Sequence, residues 1–228
     1  MPEAVIVSAA RTPIGRANKG SLKDFRPDDL AAFIVKTAVE KVPGLDPSTI
    51  DDLLLGCGLP GGESGNNMAR VVSVLNGWDS VPGATITRYC SSSVQTTRMA
   101  FHAIKAGEGD IFVSAGVETV SRFSKGTSDH IPDTVNHLFD DAQTRTAKTA
   151  EAGSTATGPW HDPRTDGLLP DVYIAMGQTA ENVASLRGLS RQELDEFGVR
   201  SQNLAEKAIA DGFWAREITP VTTPDAPS

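Results

Sequence analysis

The sequence predicts an α/β fold with a mostly parallel sheet. Two observations predict it: a succession of strand, helix and strand occurs twice, and each helix is long enough to carry the chain back to a parallel neighbour. The first succession covers residues 5–56 and the second residues 84–116. A hydrophobic fraction of 39% over 228 residues supplies enough apolar side chains for such a core.

The first succession begins with residues 5–9, whose sequence VIVSA is apolar and β-branched and predicts an interior strand. Asp28 is the predicted N-cap of an amphipathic helix that ends near Pro43. The second predicted strand covers residues 51–56; together with the preceding Ile50 its sequence is IDDLLLG. A glycine-rich stretch then leads to a helix starting near Asn66 or Asn67. The glycines of this stretch lack the spacing of a phosphate-binding loop.

The second succession surrounds Cys90. Residues 84–89 predict a partly buried strand that runs into this cysteine. Residues 91–106 carry apolar side chains on one helical face and predict a helix that Gly107 ends. Residues 111–116, IFVSAG, predict the strand that completes the unit.

Cys90 is a candidate nucleophile because of its predicted place at a helix start. Unpaired amides and the positive end of the helix dipole favour thiolate over thiol there. The same amides could stabilise the oxygen of an acylated sulfur. The local pattern also fits a small buried hydrophobic residue at a strand-to-helix junction, and the pattern alone leaves both interpretations open.

The second half of the chain is organised differently. Residues 121–165 are rich in Thr, Ser, Asp, Gly and Pro and show no sustained period, so they predict a long loop excursion. A short helix is predicted from Met176, and a capping box at Ser190 opens a longer helix that ends at Gly212. Residues 216–221 begin as a strand.

Composition excludes several classes of protein. The net charge of −8 argues against a nucleic-acid partner or an anionic membrane surface. No apolar run is long enough to cross a bilayer. The two cysteines, Cys57 and Cys90, show neither metal-type spacing nor a disulfide framework, which predicts a reducing compartment, by default the cytoplasm. Cys57 is interpreted as a buried packing residue.

The segment TRYCSSSVQT around Cys90 resembles NRxCSSGxxA, the nucleophile signature of thiolases. Other segments are similar to thiolase segments in the same order: ARTPIG, GNNMAR, DIFVSAGVETVSR, MGQTAENVA and SRQELDEFGVRSQNLAEKA. The resemblance covers most of residues 4–222 and is weakest at 121–171. It implies the N-terminal half of a layered αβαβα fold with a mixed or parallel sheet. Residues 1–118 would form the first part of the catalytic domain, and residues 119–228 part of an inserted loop domain.

The resemblance also implies a reaction. Thiolases transfer an acyl group from 3-ketoacyl-CoA to a cysteine, here Cys90, and then to coenzyme A; condensation of two acyl-CoA molecules is the reverse. Met176 and Leu168 would line the acyl-binding pocket. Coenzyme A is a substrate, and no resident cofactor or metal is implied. A homodimer or homotetramer acting in lipid and fatty acid metabolism is expected.

This sequence departs from the family pattern in several places. Ser93 stands where the signature has glycine, and Ala175 stands where the family often has histidine. The GHP, NEAF-like and CxG motifs that supply the base, an oxyanion site and the acid do not occur in the 228 residues. Its histidines, which are interpreted as surface or packing residues, are His102, His130, His137 and His161.

The missing motifs predict that the complementary C-terminal half comes from elsewhere, as a further stretch of polypeptide or as a partner chain. Two other interpretations stay open. The chain could be a non-catalytic scaffold or interaction subunit with a thiolase-like fold, or a cysteine hydrolase that uses Cys90 with another base.

Overall fold

The protein is described by a computed structural model that covers residues 2–125, 135–152 and 160–223. The chain forms two compact units, one made of Met1–His130 with Phe213–Ser228 and the other of Ile131–Gly212. The predicted division of the family fold at residue 118 stays a prediction. His130 lies outside the described residues.

The first unit contains a three-stranded parallel sheet, so the predicted α/β class is confirmed. Its strands are β1 (Asp52–Gly56), β2 (Gly83–Ile86) and β3 (Phe112–Gly116), arranged in the order β2-β1-β3. Leu53 and Leu55 of the central strand are completely buried. An uninterrupted apolar run is what a strand covered on both faces requires.

Helices cover both faces of this sheet. They are α1 (Pro27–Glu40), α2 (Met68–Leu75) and α3 (Ser92–Ala106). Leu53 and Leu55 share one buried cluster with residues of α1 and α2, and α3 packs against β1 and β3. Because successive side chains of a strand point to opposite faces, Leu54 faces the other way. The predicted crossover from β2 through α3 to β3 is therefore present, and another crossover runs from β1 through α2 to β2, whereas the first predicted one lacks its opening strand.

Two predicted helix starts are displaced by a residue or two. Arg26, not Asp28, is the N-cap of α1, and the Asp28 carboxylate accepts hydrogen bonds from the Arg26 guanidinium at 2.7 and 3.0 Å. Asn66 and Asn67 both have positive φ, 53° and 49°, so α2 begins only at Met68. Asparagine tolerates this left-handed conformation better than most residues.

The predicted strand at residues 5–9 is wrong. The segment belongs to no strand, and Val5, Ile6 and Val7 are 66%, 83% and 74% exposed. Its composition favours a strand, but a strand also needs a partner, and the described part of the chain offers it none. The predicted strand at 216–221 is reduced to a single parallel bridge between Ile218 and Arg11.

The second unit is helical. It contains α4 (Asp140–Ala152), α5 (Met176–Arg187) and α6 (Arg191–Ala210). The predicted α5 and α6 are confirmed, including the capping box in which the Ser190 amide donates to Glu193 Oε2 at 2.8 Å. Across the three described ranges, no helix combines the length and apolar character needed to cross a membrane.

Helix α4 contradicts the predicted loop at 121–165. Its sequence, DDAQTRTAKTAEA, has strong helix formers and two acidic residues in the first turn, but it has almost no large apolar side chains. The helix therefore forms without the periodic apolar signal on which the prediction depended. Parts of the same predicted loop, residues 126–134 and 153–159, lie outside the described residues.

Candidate active site

Cys90 lies in a short 3₁₀ turn, Tyr89–Ser91, between the end of β2 and the start of α3. The predicted strand-to-helix junction is therefore present. The cysteine is exposed, so the interpretation as a buried hydrophobic residue is wrong. Tyr89 has a φ of 47°, the left-handed region, which turns the chain sharply just before the sulfur-bearing residue.

Two glycines allow this turn to lie directly on the end of the sheet. Gly56 of β1 and Gly116 of β3 are register partners at the last position of their strands. A Cβ on Gly56 would lie 2.8 Å from the backbone of Ser92 and Ser93, and one on Gly116 would overlap Ser93 Oγ. The start of α3, and with it Cys90, is held this close because neither glycine carries a side chain.

Serine hydroxyls brace the turn around Cys90. Ser92 Oγ accepts a hydrogen bond from the Arg88 amide at 2.8 Å and donates one to the Tyr89 carbonyl at 2.6 Å. Ser91 Oγ donates to the Arg88 carbonyl at 2.9 Å and makes no capping bond to the first amides of α3. The backbone on either side of the cysteine is thus fixed by side chains that leave the helix start uncapped.

A cavity of about 570 Å³ opens beside Cys90 at the carboxyl ends of β1 and β3. Ligands bind in this position in many parallel α/β sheets. The wall is mostly apolar, and its larger apolar side chains are Leu59, Val117, Val120 and Phe123. Cys90 is therefore a thiol at the edge of an apolar pocket, an arrangement suited to holding an acyl group next to sulfur.

Glu118, which the sequence analysis did not single out, is the charged group of this cavity. Its carboxylate accepts a hydrogen bond from the Gly58 amide at 2.7 Å and lies 3.9 Å from Cys57 Sγ. Burial, with the Glu118 charge as a second cause, raises the pKa of Cys57 to about 11. Cys57 is 1% exposed, which confirms its predicted role as a packing residue. The sequence signal that could have identified Glu118 is its position, because it follows closely after β3, where side chains lie at the carboxyl end of the sheet.

An ion cluster fixes the glycine-rich loop that forms one side of the cavity. Glu63 of this loop accepts a hydrogen bond from Arg122 Nη2 at 2.8 Å and one from Arg26 Nη1 at 3.3 Å. The side chains of Glu63 and Arg122 are only 12% and 13% exposed. The hydrogen bond from Arg122 is the main cause that lowers the pKa of Glu63. The loop is thereby tied to the segment that follows β3.

The other two predicted site residues belong to the second compact unit. Met176 is the first residue of α5 and is 65% exposed, and Ala175 is the N-cap of that helix. Leu168 follows the left-handed Gly167 and is 46% exposed. Their predicted contact with an acyl chain stays a prediction.

The cavity beside Cys90 has no histidine in its wall among the described residues. His102 is exposed on α3, His137 pairs with Asp140 at 3.4 Å, and Thr165 Oγ1 lies 2.6 Å from His161 Nε2. The described ranges also hold no cluster of three metal-ligating side chains. Within the described ranges, no histidine of the cavity wall is therefore available as a base for the Cys90 thiol.

The fold and the site together define an α/β protein with an exposed cysteine at a strand-to-helix turn. Residues 4–227 match the family model for the N-terminal domain of thiolases, and the chain belongs to the thiolase family. It is 39% identical over 222 residues to a 3-ketoacyl-CoA thiolase of Bacillus subtilis, which covers 97% of this chain and 49% of that protein.

A second relative and a solved structure support the same family. A 3-oxoadipyl-CoA/3-oxo-5,6-dehydrosuberyl-CoA thiolase of Escherichia coli is 38% identical over 224 residues, 97% of this chain and 52% of that protein. The crystal structure of an acetyl-CoA acetyltransferase of Bacillus anthracis superimposes with a TM-score of 0.72 at 30% identity, over 98% of this chain and 52% of that one. The chain thus spans about half the length of the relatives it matches.

Proposed function

We propose that this chain supplies the nucleophilic half of a thiolase, with Cys90 as the residue that carries the acyl group. The observation that carries the proposal is the exposed Cys90 at the mouth of an apolar cavity, at the carboxyl end of the sheet. An acyltransferase needs a reactive sulfur with room beside it for the acyl chain. Met176 and Leu168 are proposed to contact the acyl and pantetheine parts of the substrate.

The reaction follows from thioester chemistry. After a base removes the Cys90 proton, the thiolate attacks the C3 carbonyl carbon of a 3-ketoacyl-CoA and forms a tetrahedral oxyanion. Collapse of this oxyanion breaks the C2–C3 bond, and the electron pair leaves on C2 of acetyl-CoA, which takes a proton. The remaining acyl group is now a thioester on Cys90. Deprotonated coenzyme A attacks this thioester, releases the thiolate and leaves as the shortened acyl-CoA.

Backbone amides at the start of α3 are proposed to stabilise the oxyanion. The Cys90 amide belongs to the turn that precedes the helix, where backbone dipoles point toward negative charge. Ser91 does not cap these first amides with its side chain. Coenzyme A enters as a substrate, and the proposed reaction uses no resident cofactor or metal.

The proposal includes a complementary half that supplies acid and base. The cavity wall contains no histidine among the described residues. Within the described ranges, strand β3 pairs with β1 alone, and Val5, Ile6 and Val7 are exposed although their composition suits a strand. An open sheet edge and exposed β-branched residues are features that a further strand would cover. We further propose a cytoplasmic homodimer or homotetramer that acts in fatty acid metabolism.

Labelling with acetyl-CoA tests the proposal. The chain is incubated with acetyl-CoA alone and with the complementary half, and intact mass and peptide mapping locate the adduct. We expect a thioester on Cys90 that coenzyme A removes, formed much faster in the presence of the complementary half. Cys90→Ser should abolish the adduct, and Cys57→Ser is the matched control that should retain it.

Other outcomes identify the alternatives. Release of the Cys90 adduct by water and not by coenzyme A would indicate a hydrolase. No adduct under either condition would contradict the proposal and favour a non-catalytic scaffold.

A further inference from the structure

Ser93 lies in the first turn of α3, three residues after Cys90, and lines the same cavity. It is exposed, so its side chain is accessible from that cavity. The neighbouring strand residue is Gly116, and a Cβ built on that glycine would overlap Ser93 Oγ. The Ser93 side chain therefore fills the space above Gly116, at the wall nearest to the start of α3.

The three consecutive serines of this turn have different roles. The hydroxyls of Ser91 and Ser92 bond to the backbone of Arg88 and Tyr89 and fix the turn. Among the described residues, none makes a hydrogen bond to Ser93 Oγ, although its carbonyl accepts from Thr96 and Thr97. The Ser93 side chain is thus not needed to hold the turn together. What it contributes to the cavity is volume.

We propose that Ser93 is a specificity-determining residue that excludes acyl groups branched at C2. The inference rests on the proposed function, because it assumes that the acyl group is bonded to Cys90. Cys90 and Ser93 line the same cavity and are three residues apart, so an acyl group on the sulfur would enter a cavity whose wall includes the first turn of α3. Ser93 takes the volume that a second substituent on C2 would need, so unbranched acyl groups are the substrates.

Competition between two acyl donors tests the inference. Propionyl-CoA and 2-methylpropionyl-CoA differ by one methyl group on C2, and intact mass distinguishes their adducts on Cys90. The protein is used together with its complementary half and an equal mixture of the two donors. Because one methyl group changes selectivity by about 10- to 200-fold in a tight pocket, we expect Ser93→Gly to raise the ratio of branched to unbranched adduct at least about tenfold.

A second variant separates this effect from general loosening of the turn. Gly116→Ala alone should disturb the site, because its methyl group would overlap Ser93 Oγ. In the double variant Ser93→Gly with Gly116→Ala, the new methyl group occupies the vacated volume from the opposite side. We therefore expect the double variant to form the unbranched adduct and to return the ratio toward the wild-type value.

Each outcome decides between the two proposals. An unchanged ratio in Ser93→Gly, with a normal propionyl adduct in the wild type, would overturn the specificity role and leave the proposed function intact. A ratio that stays raised in the double variant would overturn the assignment to the volume above Gly116. No adduct on wild-type Cys90 from either donor would overturn both proposals.

Discussion

The two compact units differ in where they place their apolar side chains. The first unit buries a continuous cluster between its sheet and helices α1 and α2. The second unit has few buried apolar residues in its described part, and α6 has none. Phe197, Leu204 and Ile209 of α6 are 70%, 53% and 66% exposed. The fold of the first unit is therefore stabilised by burial, and that of the second largely by local hydrogen bonds.

Local interactions in the second unit are numerous. The capping box at Ser190 starts α6. Two ion pairs, Arg191–Asp195 and Lys207–Asp211, each join residues one helical turn apart. Arg145 Nε donates to Asp171 at 3.0 Å and ties α4 to the segment before α5. Interactions of this kind each contribute a few tenths of a kcal/mol to about 1 kcal/mol. Truncation of an apolar side chain should therefore destabilise the first unit far more than the second.

The largest expected effect is the loss of a core leucine. Leu55→Ala removes a fully buried side chain from the central strand, and we expect it to lower the free energy of unfolding by about 2–5 kcal/mol. The matched control, Leu204→Ala, truncates an exposed leucine of α6 and should change the free energy of unfolding by less than about 0.5 kcal/mol. Urea unfolding measures both, and equal losses would contradict the comparison.

A smaller effect is expected from the ion cluster of the first unit. Glu63→Gln removes the charge that Arg122 and Arg26 share, and we expect a loss of about 1–3 kcal/mol at neutral pH. Because the folded protein lowers the pKa of Glu63, this stability is fully present above the unfolded pKa of about 4.3 and is lost as the pH falls through the folded value.

Unfolding by urea at several pH values checks this prediction. The difference between the wild type and Glu63→Gln should be constant from neutral pH down to about pH 5 and should shrink below it. Glu108→Gln is the control, because Glu108 is exposed on the loop after α3. A difference that grows as the pH falls would have the wrong sign for a carboxylate stabilised by arginine.

The smallest effect concerns the local stability of α6. Ser190→Ala removes the capping box, and we expect a local loss of about 1 kcal/mol. Hydrogen exchange of the first turn of α6, followed by mass spectrometry, should accelerate by about fivefold while exchange in β1 is unchanged. Ser201→Ala, in the middle of the same helix, should leave the first turn protected. Faster exchange in β1 would show that the units are not independent in stability.

The sequence predicted those parts of the fold that have local or periodic signals. Strand β1 has a continuous apolar run, β3 has a mostly apolar run, and α3 has a terminal glycine, so all three were found within a residue or two. The buried face of α3 is nevertheless formed by Ser92, Thr96 and Ala100 and not by its larger apolar side chains. Cys90 was placed at its turn for the same reason. Helix α4 was missed because its stability comes from helix propensity, which leaves no apolar period in the sequence.

Contacts between distant residues could not be predicted from local pattern. Glu118 meets the Gly58 amide across 60 positions of the chain, and Arg122 meets Glu63 across 59. Nothing in the residues around either acid identifies its partner. The failure at residues 5–9 has the same origin, since the composition of a segment states a preference for a strand but not whether a neighbour exists.

The paired glycines at the end of the sheet have a consequence for how this site can change over evolution. Gly56 and Gly116 bring no functional group, yet a side chain at Gly56 would collide with the α3 backbone, and one at Gly116 would collide with the Ser93 side chain. The position of Cys90 thus depends on the close contact between Gly56 and the α3 backbone, and the shape of the cavity can change at the residues around this contact. Substitutions in the neighbouring loops can therefore reshape the cavity while the sulfur keeps its position.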